Sequence, residues 1–352
     1  MRYGVAEMKA LRLHKPYDLQ LHDEVVPVPN SGEVLIQVKS VGVCASDLHY
    51  YREGRIGDQV ITSPHILGHE FSGVVAGLGK GVTGIKVGAR VAVEPAKPCG
   101  VCEICREGLI NVCPKVEFFG TPPFQGALRE YLTWPANLVM PVPDSMSFDE
   151  AAMIEPLAIG VYAVELSGLK GGETVVILGA GAIGLSCLQA AKIAGAGKTV
   201  VVEPVPERRE LAKKLGADIA LDSRMLNVQQ VVTDLIGKYG ADITFEAAGD
   251  FLAVKQTVCF ARPVGTIVIV GIPDEDIYAF DASIARRKEL TVKFCRRSRA
   301  TAEKSIELVE EKKADVKSYA THVFPLERAA EAFELAYEKK DGVIRAVIRL
   351  SE

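Results

Sequence analysis

A chain of 352 residues is long enough for two domains, and its 48% hydrophobic and 24% charged residues suit a globular protein rather than a disordered or fibrous one. A formal net charge of −4 offers no basic field for phosphate backbones or anionic membranes, so nucleic acid is not an expected partner. The start, Met1 to Lys9, has no apolar leader, and the most hydrophobic stretch, Val175 to Ala191, is interrupted by Gly179, Gly181 and Gly184; a cytoplasmic protein without a membrane span is expected.

From Lys9 to about Val93, short alternating apolar runs such as Val34 to Val38 and Gly73 to Ala76 are separated by Gly, Pro and Asp, which predicts a β-rich domain. Among those runs stand Cys44 with Ser46 and His49, and then Gly68-His69-Glu70. Four more cysteines, Cys99, Cys102, Cys105 and Cys113, follow as C-x2-C-x2-C-x7-C in one Gly-punctuated loop. Ser147-Phe148-Asp149-Glu150 has the form of a capping box, so a helix is predicted from near Ser147 into Glu155-Pro156, and the first domain is expected to span 1–155.

Beyond Gly171-Gly172 the pattern changes to apolar strands alternating with helices: Thr174 to Leu178, Thr199 to Glu203, Asp218 to Leu221, Asp242 to Glu246, Thr266 to Val270 and Leu290 to Phe294. Such spacing predicts an α/β fold with a parallel sheet covered on both faces, assigned to 156–293. Gly179-Ala180-Gly181-Ala182-Ile183-Gly184 directly follows the first of these strands and opens a helical pattern, the context a dinucleotide fingerprint requires. The first Gly permits the turn, the second lets the backbone approach a pyrophosphate, and the third lets helix pack on strand. Glu203 ends the next strand, 19 residues after Gly184, where its carboxylate suits ribose hydroxyls and repels a 2′-phosphate. NAD is therefore expected over NADP, with Arg208 and Arg209 the counter-signal; the competing reading is a glycine turn that binds no dinucleotide. Helices around Ala300 to Lys312 and Leu326 to Lys339 and a strand Gly342 to Leu350 close the chain, and 294–352 is expected to return to the first domain.

Eight cysteines without a secretory leader point to metal or free thiols rather than disulfides. The four-cysteine loop predicts a closed structural zinc site, with an iron–sulfur cluster or unmetallated thiols as rivals. Cys44, His69, Glu70 and Glu155 form a dispersed set with a single thiolate, which suits a catalytic zinc with one position left open. Whether Glu70 and Glu155 bind directly or through water stays open. Glu155 is the candidate proton acceptor, with Ser46 and His49 a possible relay to solvent. His14, His22, His65, His322, Cys187 and Cys259 read as ordinary packed or surface residues.

Assembled, these residues resemble the zinc-dependent medium-chain dehydrogenases, and within them the sorbitol (polyol) dehydrogenases. The resemblance rests on Gly68-His69-Glu70-Phe71-Ser72-Gly73 with Gly79 and Val82, on His49 to Asp58, on Thr121-Pro122-Pro123 and on Ile154-Glu155-Pro156-Leu157. It implies a GroES-like catalytic domain made from both chain ends, a Rossmann domain, one catalytic and one structural zinc, NAD and a homotetramer. The implied reaction oxidises a secondary hydroxyl of a sorbitol- or xylitol-like polyol to a ketose, with hydride passing to NAD. Tyr50, Phe118, Glu155 and Arg296 are implied at the substrate, and Ile183, Glu203, Arg208, Val270, Gly271, Ile272 and Phe294 at the cofactor. One departure stands out: polyol dehydrogenases commonly carry Phe-Arg-Tyr where this chain has Phe294-Cys295-Arg296-Arg297. Competing readings are a threonine dehydrogenase, a crystallin-type nucleotide-binding protein and an iron–sulfur carrier.

Overall fold

Residues 6–225, 227–273 and 277–350 are described by the computed structural model, so Met1 to Val5 of the scanned leader lie outside it. The chain divides into two units, one made of residues up to Glu155 and from Tyr319 on, the other of Pro156–Ser318. No helix among the described residues is long and apolar enough to cross a membrane.

The first unit is built on a seven-stranded sheet ordered Val139–Pro141, Arg90–Val93, Glu70–Leu78, Glu33–Gly42, Arg345–Arg349 and Ala320–Pro325, with Tyr131–Pro135 also paired to Glu33–Gly42. Alternation explains the central strand: Val34, Ile36 and Val38 are fully buried, while Leu35, Gln37 and Lys39 between them are less so. They join a core that includes Phe71, Phe119, Trp134 and Phe333. Register then decides where the chemistry falls. Gly42 pairs with Glu70 on one side and with Val347 on the other, so Cys44, His69 and Arg345 all arrive at the same end of the sheet.

The second unit is a Rossmann sheet of six parallel strands ordered Ile219–Leu221, Lys198–Val202, Thr174–Leu178, Ala241–Glu246, Ala261–Ile269 and Thr291–Phe294. In chain order that is 3-2-1-4-5-6, which places a topological switch between Thr174–Leu178 and Ala241–Glu246. Each expected strand is found, with Ala261–Ile269 starting earlier than its apolar run because Ala261 already pairs with Ala241.

Three expectations need correction. The return to the first unit begins at Tyr319, not at residue 294, because the helix Ala302–Glu310 and the loop after it are pinned inside the second unit. Thr301 Oγ1 donates to Ala158 O at 2.7 Å, Lys304 pairs with Glu165, and Gln189 exchanges hydrogen bonds with the Asp315 backbone. The closing segment holds two strands rather than one, Ala320–Pro325 lying parallel to Arg345–Arg349 with the helix Ala329–Glu338 as crossover. The capped helix is also shorter than read: Ser147 caps Phe148–Ala152, the chain breaks at Met153, and Ile154–Ser167 begins afresh. Pro156 sits in the first turn of that second helix, where its missing N–H has no intrahelical partner to lose.

Candidate active site and metal centres

Cys44 is the N-cap of the helix Ala45–Glu53, held by its own N–H donating to Asp47 Oδ2 at 3.0 Å. Asp47 is buried, and its other oxygen accepts from Gly68 N at 3.1 Å and lies 3.6 Å from His69 Nδ1. One carboxylate therefore braces the cysteine, the backbone before the histidine and the imidazole itself, which leaves Nε2 as the nitrogen to bind a metal. Burial opposes protonation of His69, but Asp47 and Cys44 outweigh it and hold the ring well above its ordinary range. Phe118 lies against the same ring, centroids 5.1 Å apart.

Ligand atoms of Cys44, His69 and Glu70 all lie within 4.8 Å of one another. Glu70 Oε1 accepts from the buried Arg345 Nη2 at 2.7 Å, and Arg345 also donates to Val43 O. Oε2 of Glu70 is buried with no hydrogen-bond partner, as is Oε2 of Glu155. Glu155 stands outside the 4.8 Å group but within electrostatic reach of it: burial pushes its carboxyl up to about 8, Glu70 and Glu94 add to the rise, and His69 and Arg345 oppose it. An orphaned Glu70 oxygen grouped with one thiol and one imidazole suits a divalent cation, with the orphaned Glu155 oxygen left to face it or a molecule bound to it. Space is tight here, since a Cβ on Gly42 would come 2.5 Å from Glu70 Oε2.

Among the other expected residues of this unit, Ser46 and His49 are half-buried and three apart on the helix that Cys44 caps, hence on one face. Tyr50 is buried, its hydroxyl 3.5 Å from Gln59 Oε1.

The four-cysteine loop brings its sulfurs together with none oxidised to a disulfide. Cys99 and Cys105 sulfurs are 4.0 Å apart, as are those of Cys102 and Cys113. Zinc–sulfur bonds of about 2.3 Å in a tetrahedron separate the sulfurs by roughly 3.8 Å, so one ion fits, whereas an iron–sulfur cube would spread them. Backbone N–H groups of Val101 and Cys102 lower the Cys99 thiol to about 6, while desolvation and the neighbouring thiols raise Cys105 to about 12. The loop thus favours a thiolate at Cys99 and opposes one at Cys105, an opposition that a bound cation would offset.

In the second unit Gly181 caps the helix Ala182–Ile193 with no side-chain cap hydrogen bond. A Cβ on Gly184 would meet Gly179 O at 2.1 Å, and Gly179 has φ +99° against the Ala247 backbone. Gly181 differs, because nothing lies within 4 Å of where its Cβ would be. That open space over unsatisfied N–H groups is the cradle a pyrophosphate fits. Glu203 is buried, its oxygens accepting from Ala180 N at 2.7 Å and Val205 N at 2.9 Å, so it ties the glycine turn to the turn after its own strand. Arg209 is drawn away to Glu203 O and Asp222. Ile183, Arg208 and Val270 to Ile272 are half-buried, while Phe294 and Arg296 are exposed. Glu246 was not anticipated: its backbone O accepts from Val270 N and Gly271 N and its Oε1 from Ala248 N and Gly249 N, which joins the loops that follow Ala241–Glu246 and Ala261–Ile269.

Residues 30–144 match the family model for the alcohol dehydrogenase GroES-like domain, and 182–311 that for the zinc-binding dehydrogenase. Sorbitol dehydrogenase of Bacillus subtilis (strain 168) is 37% identical, with 97% of each chain covered. D-xylulose reductase of Saccharomyces cerevisiae is 39% identical over 93% of each. Among solved structures, an oxidoreductase/dehydrogenase of unknown specificity from Escherichia coli superposes with a TM-score of 0.94 at 34% identity, covering 99% of this chain and all of that one.

Proposed function

Because the chain belongs to the zinc-binding medium-chain dehydrogenases, in their sorbitol dehydrogenase branch, we propose that it oxidises a secondary hydroxyl of a sorbitol- or xylitol-like polyol to the ketose with NAD as acceptor. The carrying observation is the one-thiolate set, Cys44, His69 and Glu70, with Glu155 near it and two carboxylate oxygens that have no hydrogen-bond partner among the described residues. When bound, zinc supplies Lewis acidity toward the alcohol oxygen and NAD accepts the hydride.

The chain's own residues do the rest. Cys44, His69 and Glu70 hold the metal, with Asp47 setting its charge beside Nδ1 of His69 and Arg345 fixing one oxygen of Glu70. Glu155, buried and disposed to carry a proton, takes the hydroxyl proton; Ser46 and His49 pass it toward solvent. Tyr50, Phe118 and Arg296 contact substrate. Gly179, Gly181 and Gly184 cradle the pyrophosphate, Glu203 faces the adenosine ribose, and Ile183, Arg208, Val270, Gly271, Ile272 and Phe294 contact the rest of NAD. The relatives' names, sorbitol dehydrogenase and D-xylulose reductase, support a polyol as the substrate class. Cys99, Cys102, Cys105 and Cys113 hold the structural zinc, and the enzyme works as a cytoplasmic homotetramer.

The test is reduction of NAD and NADP across sorbitol, xylitol, ribitol, galactitol and L-threonine, before and after chelation, with zinc counted per chain. Zinc-dependent turnover of polyols with NAD is expected. Preference for L-threonine would move the chain to the amino-alcohol branch, and chelation-resistant turnover would remove the metal from the reaction.

A further inference from the structure

The antiparallel hairpin Glu7–Lys15 and Asp18–Val25 carries two histidines that the reaction does not use. His14 and His22 place their Nε2 atoms 2.8 Å apart, with ring centroids 5.0 Å apart and planes inclined by 16°. We propose that this pair is a further metal site, a two-imidazole chelate for a borderline divalent transition-metal ion such as Ni2+, Cu2+ or Zn2+, with water completing the coordination.

Backbone geometry makes the pair. Leu13 is opposite Leu19, but Lys15 is opposite Asp18, so His14 is the extra residue of a β-bulge. Ala10 is opposite His22, so alternation already sets His14 on the face of His22, and the bulge adds local twist at that point. Two imidazoles bound cis to one ion at about 2.0–2.1 Å hold their nitrogens roughly 2.9–3.4 Å apart, so chelation asks for a small separation of the two Nε2 atoms, which now face each other, and a tilt of both rings toward the ion. Borderline ions favour imidazole, and first-row affinity rises toward copper. Both rings are half-buried, which restrains them while leaving room for water ligands. Arg12, two residues before His14, is engaged by Glu24 and by Pro64 O, so its charge is offset, and Lys15, next to His14, is exposed. Neither histidine belongs to the Cys44 group or the four-cysteine group, and the site stands whether or not the polyol reading does.

The zinc-loaded full-length protein is titrated calorimetrically with Ni2+, which does not oxidise thiols, beside His14→Gln and His22→Gln. Wild type is expected to bind one equivalent at least about tenfold more tightly than either variant, since a second arm on the same ion acts at high effective concentration. Its Tm should rise with Ni2+ and theirs should not. The variants' zinc content reports whether they fold. In wild type alone, paramagnetic Ni2+ should broaden the ring resonances of His14 and His22 before those of the other histidines. Equal affinity in all three proteins, or no selective broadening, overturns the proposal and leaves the pair as an imidazole–imidazole hydrogen bond.

Discussion

Glu155 shows how position sets the chemistry of a single carboxyl. In the metal-free fold, burial, Glu70 and Glu94 together raise it to about 8 from an ordinary 4.5. Between about pH 5 and pH 8 the folded state then keeps a proton that the unfolded state has released, so stability falls as pH rises through that window. Metal-stripped wild type should lose Tm over this range more steeply than metal-stripped Glu155→Gln; equal slopes would mean that the carboxyl is not held protonated. In the loaded enzyme the same substitution should lower kcat by about 10²–10⁴ with NAD affinity kept, as removal of a proton acceptor does. Asp47→Asn is expected to weaken zinc binding about 10–100-fold in chelator competition, through loss of the charge that orients His69, without changing the ligand set. Sequence reading named the residues of the candidate group but not these supports. Asp47 left a faint signal, an acid three residues after the N-cap Cys44, whereas Arg345 lies 275 residues from Glu70 and only strand pairing brings them together.

At the scale of elements, the parallel strands were legible because strands buried on both faces read as unbroken apolar runs between helices. The strand Ala320–Pro325 was not, since alternate residues are only partly buried and its sequence, Ala-Thr-His-Val-Phe-Pro, is short and interrupted by polar groups. Helix assignment to a domain was equally illegible: the amphipathic pattern of Ala302–Glu310 is compatible with either unit, and the deciding contacts are to Ala158 and Glu165 far back in the chain. The glycine turn shows a division of labour that a motif cannot reveal. Gly184→Ala forces a Cβ to 2.1 Å from Gly179 O and should cost about 1–3 kcal/mol, read as a lower urea midpoint. Gly181→Ala meets nothing within 4 Å and should unfold like wild type, yet bind NAD much more weakly because the methyl fills the phosphate cradle. Normal NAD affinity in Gly181→Ala would mean that the pyrophosphate does not approach there.

Across the whole molecule, the chemistry is split so that each part answers to a different perturbation. The Cys44 group, the four-cysteine loop and the arginine that steadies Glu70 all belong to the unit made from both chain ends, while the glycine turn and Glu203 belong to Pro156–Ser318. The two metal groups also differ in what they do without an ion. The Cys44 group is seated on a buried sheet end and held by Asp47 and Arg345, so its backbone has support of its own. The four cysteines sit in a loop whose helix, Glu103–Arg106, has no buried residue and is only four residues long. A metal contributes folding free energy where the core is thin, and less where packing already holds the ligands. Cys44→Ala should therefore lose one zinc per chain and all turnover while Tm changes little and NAD still binds. Cys102→Ser should lose the other zinc and become sensitive to proteolysis between residues 99 and 113. Zinc per chain by atomic emission, Tm, NAD titration and the site of cleavage are the four readings. Loss of NAD binding in Cys44→Ala, or of both metals in either variant, would show that the parts are coupled in a way their separate architectures do not require.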